Sequence, residues 1–105
     1  MLPIPVKKAI EQFGQDIRDS RRRRRIPISI MAERASVSRI TIGRIEKGEP
    51  SVALGTYATV LYILGMIDRF SELVDVKKDV IGLELEEELL PKRIRKSKKL
   101  SNYNG

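Results

Sequence analysis

Residues 27–50, PISIMAERASVSRITIGRIEKGEP, carry four interruptions that leave little freedom in what this part of the chain can become. Pro27 suits the first turn of a helix and not its interior. Ser36-Val37-Ser38 breaks the pattern again, Gly48 is placed as a residue just past a helix end, and Pro50 blocks continuation. Residues 28–35 and 39–46 lie between these points, each room for about two helical turns. Isolated helices of that length are marginal in water, so both have to be held by packing. Met31, Ala32 and Ala35 mark the inner side of the first. Ile42 and Ile45 mark the inner side of the second, leaving Arg39, Ile40 and Arg44 outward. Ser38 is a good N-cap, because its hydroxyl accepts from a free amide of the first turn. Gly43 stands inside the second helix, where glycine costs about 1 kcal/mol relative to alanine. A bare backbone there has two readings: something large comes close to that face, or the position simply tolerates a weak helix former.

The flanks read as further helices. After Pro3 and Pro5, Val6, Ile10, Phe13 and Ile17 recur at helical spacing, and the helix continues into the arginine run 21–25. Beyond PSVALG, Tyr57, Val60, Leu61 and Leu64 form an apolar stripe. Gly65 interrupts it, and MIDRFSELV adds a short fifth helix with Ile67, Phe70 and Leu73 inward. The character changes after Asp75. Alternation in DVIGLEL suits a short strand over 80–85, followed by EEELLP and the basic tail KRIRKSKKLSNYNG. That tail has little to bury and is expected to be disordered when unbound. The expected organisation is therefore a helical domain over 1–75 and a C-terminal extension over 76–105, with no internal repeats.

Formal net charge is +7 over 105 residues and the pI is about 10.0. Such a chain is drawn to polyanions, nucleic acid first and an anionic membrane surface second. The longest apolar run, VLYILGMI, falls far short of the roughly 18 residues a membrane-spanning helix needs, and MLPIPVKK does not read as a secretory signal. These features lead us to expect a soluble, cytoplasmic, nucleoid-associated protein with no membrane partner. Cysteine and histidine are both absent. Without them no nucleophile–base–orienter set can be assembled short of a Ser–Lys pair, so an enzyme is the least expected class and no catalytic residue is assigned. No cofactor or metal is expected either. Glu84, Glu86, Glu87 and Glu88 read as pairing with the tail or with a basic partner. An RNA-binding role is disfavoured because Phe13, Tyr57 and Phe70 look internal and leave no platform for stacking bases.

Two short helices joined by a tight turn, the second capped by serine and stopped by glycine, describe a helix-turn-helix. MAERASVSRITIGRIEKG carries the whole set. The longer stretch FGQDIRDSRRRRRIPISIMAERASVSRITIGRIEKGEPSVALGTYATVLYILGM, about half of the chain, resembles the phage-repressor/Cro-like helix-turn-helix family, often called XRE-type regulators. Within that family the chain is most similar to HipB-type regulators, encoded beside HipA-like kinases, through IEKGEPSVALGTYATVLYILG and IGLELEEELLPKRIR. The resemblance implies an all-α, five-helix repressor-like domain with a C-terminal extension. It also implies a homodimer on a palindromic double-stranded operator, with half-sites about 34 Å apart or a multiple of that.

The resemblance further implies that helix 39–46 lies in the DNA major groove. Arg39, Ile40, Gly43 and Arg44 then contact bases. An arginine binds guanine O6 and N7 bidentately, and Ile40 meets a thymine methyl. Gly43 lets the backbone press against the groove edge or the sugar-phosphate rim. Ser38 and Thr41 donate to phosphates, while Arg22 and Arg25 supply general phosphate attraction. Arg21 and Glu46 align with an inward arginine and its acidic partner, an ion pair that locks the recognition helix to the scaffold. The chain also departs from the family pattern. Ile28 stands where a polar residue, often glutamine, is usual, so Ser29 and free helix amides take over its phosphate contact. Ser36 stands where a turn glycine is usual. Residues 50–64 form a longer segment than in the commoner pattern.

The function these features lead us to expect is a sequence-specific transcriptional regulator that represses its own operon and acts as antitoxin in a complex with a HipA-like kinase. The alternative is an adaptor that holds a kinase-like partner with little specific DNA binding. The 80–85 strand is expected to pair with its twin across the dimer axis or to extend a partner's sheet.

Overall fold

The computed structural model describes residues 1–90, and every regular element among them is helical. The helices are α1 (Ile4–Arg23), α2 (Ile28–Ala35), α3 (Arg39–Glu46), α4 (Leu54–Ile63), α5 (Ile67–Ser71) and α6 (Val80–Leu89), with a 3-10 turn at Val76–Lys78. The described residues divide into two units, Met1–Ser71 and a second that begins at Glu72.

In the first unit α1 packs on α3, α2 on α3 and α4, and α5 on α4. Ile17, Met31, Ala32, Ala35, Ile42, Ile45, Tyr57, Val60, Leu61 and Leu64 form the buried core. The inner faces expected for α2 and α3 are the ones buried. On α1 only part of the expected stripe is used. Ile17 is buried and Phe13 packs on the core, but Val6 is exposed, one turn before the point where Ile10 abuts Gly48. Leu73, expected inward, is 72% exposed, because α5 ends at Ser71.

The first four helices all stop in the same way. Arg25, Ser36, Gly48 and Gly65 adopt left-handed backbone, with φ of 54°, 58°, 75° and 83°. The amide of the next residue donates back across each turn: Ile26 to Arg21 at 3.2 Å, Val37 to Ala32 at 3.0 Å, Glu49 to Arg44 at 3.0 Å and Met66 to Leu61 at 2.8 Å. This bonding satisfies carbonyls that a helix end otherwise leaves free. Glycine adopts the conformation without a Cβ clash, so Arg25 and Ser36 hold it at a cost of roughly 1 kcal/mol each.

One buried aromatic ties three segments together. The Tyr57 ring stacks on Phe13 at a centroid distance of 5.7 Å, and its hydroxyl donates to the Glu49 carbonyl at 2.7 Å. Burial raises the Tyr57 phenol above its ordinary range, and the Glu49 carboxylate adds to the rise.

The second unit corrects the expected strand. Residues 80–85 lie within the ten-residue helix α6. The Asp79 carboxylate caps it by accepting from the Gly82 amide at 3.0 Å, and Asp75 caps the 3-10 turn in the same fashion through the Lys77 amide at 2.8 Å. Ile81, Leu83 and Leu85 fit an alternating pattern, but Ile81, Leu85 and Leu89 equally fit a helical one. The leucine- and glutamate-rich composition with an aspartate N-cap decides for the helix. The expected strand pairing through 80–85 therefore has no strand to act through. The expectation for the basic tail lies outside the described residues.

Candidate nucleic-acid interface

The candidate surface is the outward side of α3. Ser38 caps this helix: its hydroxyl accepts from the Thr41 amide at 3.1 Å and lies 3.0 Å from the Thr41 hydroxyl. With that end fixed and Ile42 and Ile45 buried, the helical period turns Arg39, Ile40 and Arg44 to solvent, Ile40 at 70% exposure. Neither Arg39 nor Arg44 has a carboxylate partner among the described residues. An added Cβ at Gly43 would meet nothing within 4 Å. No packing among the described residues therefore requires glycine at this position.

A very different glycine anchors the other side of α3. A Cβ on Gly14 of α1 would lie 2.5 Å from the Ile45 carbonyl oxygen and 2.7 Å from the Gly48 amide. A Cβ on Gly48 would come equally close to Glu11 and Ile10. These two glycines let α1 and the end of α3 meet backbone to backbone.

The same junction is locked by charge. Arg21 Nε donates to Glu46 Oε2 at 2.6 Å and Nη2 to Oε1 at 3.2 Å, while Nη1 donates to the Ile26 carbonyl at 2.8 Å. The two side chains are only 8% and 7% exposed. A bidentate pair with its spare donor used is the arrangement in which a buried ion pair is well compensated. It fixes α3 against α1 and the turn before α2 at once.

Beside this pair lies an open notch of about 240 Å³. Ile28 and Gly43 contribute to its lining, together with Arg18, Arg22 and Lys47. The structure thus brings Arg22 and Gly43 together with Arg21 and Glu46. Arg25 is exposed on its left-handed turn and does not line the notch, and Ser29 is half-buried in the first turn of α2. Arg18 and Lys47 were missed by sequence reasoning. The signal was the spacing of four from Arg18 to Arg22 and from Gly43 to Lys47, which places each pair on one helix face.

Among the described residues no three His, Cys, Asp or Glu side chains gather closely enough to hold a metal ion. No helix among them is long and apolar enough to cross a membrane. No protein-family model, curated protein or solved structure matches the chain.

Proposed function

We propose that the chain is a sequence-specific DNA-binding regulator of the helix-turn-helix kind, with α3 as its recognition helix. The observation that carries this reading is the outward face of α3. It presents two arginines without a carboxylate partner among the described residues, an exposed isoleucine and a glycine that no packing among those residues requires, on a helix clamped from behind by a buried ion pair. Arg39 and Arg44 read guanine edges, Ile40 meets a thymine methyl and Gly43 allows close approach. Ser29, Ser38, Thr41, Arg22 and Arg25 serve the phosphates.

In the same proposal the protein acts as a homodimer on a palindromic operator in its own promoter, associated with the nucleoid, and as antitoxin with a HipA-like kinase. Helix α4 contains no charged residue and leaves Leu54 and Tyr62 exposed, and α6 exposes Ile81, Leu85 and Leu89. These surfaces suit protein partners. They also support the second reading, an adaptor whose DNA binding is residual.

The variant Arg39→Ala/Arg44→Ala separates the two. Under the regulator reading it loses preference for the native upstream duplex over a scrambled one while keeping its melting temperature. Unchanged preference would show that α3 is not the reading element.

A further inference from the structure

The notch beside Gly43 borders the Arg21–Glu46 pair, yet Arg18, Arg22 and Lys47 in its lining take no part in that pair. At about 240 Å³ it lies below the range of roughly 300–1,000 Å³ typical of drug-sized ligand pockets. Its lining has two parts. Ile28 and the bare Gly43 backbone supply an apolar part, and Arg18, Arg22 and Lys47 supply three cations, none with a carboxylate partner among the described residues. The one carboxylate in the lining, Glu46, is already neutralised by Arg21.

Arg22 and Lys47 also stand at the C-terminal ends of α1 and α3, where a cation complements the helix dipole. Arg18 lies further inside α1 and has no such reason to be there. An apolar patch rimmed by unpaired cations matches a unit that is itself half apolar and half anionic. A deoxyribose with its phosphate is such a unit.

We propose that this notch seats one sugar–phosphate unit of the DNA backbone, the sugar against Ile28 and Gly43 and the phosphate held by Arg18, Arg22 and Lys47. The proposal rests on the DNA-binding reading and deepens it. It adds Arg18 and Lys47 to the contacting residues. It also gives Ile28 a contact, where sequence reasoning saw only a lost polar one. Gly43 belongs both to this seat and to the outward side of α3, so a seated backbone would set how far the recognition helix enters the groove.

The test uses the full chain with Arg18→Gln and Lys47→Gln, which keep the aliphatic stems, after melting curves establish that both fold. Affinity for native and scrambled duplexes is measured over a range of salt. Each variant is expected to weaken both duplexes by the same factor and to lower the salt slope by about one. Neutral methylphosphonates are then placed singly along the native duplex. One position per half-site should weaken the wild type and leave Lys47→Gln unaffected, because the two changes remove the same contact.

If the wild type binds the native duplex with preference but no phosphate couples to Arg18 or Lys47, the seat is refuted and the regulator reading stands. If the wild type has no preference at all, the regulator reading itself fails. A free deoxynucleoside monophosphate is titrated in parallel. Saturable binding that requires Lys47 and persists at physiological salt would identify a small-molecule site and overturn the backbone proposal.

Discussion

At the scale of single residues, two helical glycines make opposite predictions. A Cβ added at Gly43 has nothing within 4 Å of it, whereas one added at Gly14 faces backbone atoms 2.5–2.9 Å away. Gly43→Ala should stabilise the protein by up to about 1 kcal/mol, which for a domain of this size raises Tm by roughly 4–8 °C. The same substitution should weaken binding to the native duplex by about tenfold, or 1.4 kcal/mol. Gly14→Ala should destabilise by about 1–3 kcal/mol despite alanine's better helix propensity, since backbone carbonyls cannot step aside. Thermal melts of the two variants check both signs. Tyr57 carries the pH prediction. Its phenol has a raised pKa in the fold, so the folded state holds that proton more tightly than the unfolded chain, where the value is 10.0. This contribution is complete below about pH 10 and is lost as pH rises through the folded value. The stability gap between wild type and Tyr57→Phe should therefore be constant below that pH and narrow above it in a series of denaturant titrations.

At the scale of elements, the Arg21–Glu46 pair decides whether α3 is held. Arg21→Ala leaves Glu46 buried without its cation, which typically costs about 3–5 kcal/mol. A Tm lower by roughly 12 °C or more is expected, and an unchanged Tm would remove the pair from any scaffold role. The elements that the sequence made legible are those with their own punctuation. Pro27, Ser38 and Gly48 delimit α2 and α3 because each acts through local backbone chemistry. The α6 segment reads wrongly as a strand because six residues of alternation satisfy a strand and a helix alike, and only Asp79 and the run to Leu89 separate them. In the candidate site, the outward side of α3 follows from period alone. The pairing of Arg21 with Glu46 came from resemblance, since nothing local links residues 25 apart. The Gly14–Gly48 contact was invisible, because close approach is a property of two helices and neither sequence segment encodes it by itself.

For the whole molecule, a formal charge of +7 guarantees attraction to DNA and says nothing of selectivity. Charge alone predicts equal binding to every duplex and a steep loss with salt. The reading face proposed for α3 predicts a preference that survives salt. The deciding measurement is the affinity of the full chain for duplex DNA from upstream of its own reading frame, against a scrambled duplex, at two salt concentrations. The account predicts a preference of about 1,000-fold or more for the native duplex, retained at the higher salt, as specific regulators show. Equal affinity for both duplexes, falling together with salt, would contradict it and leave the adaptor reading in its place.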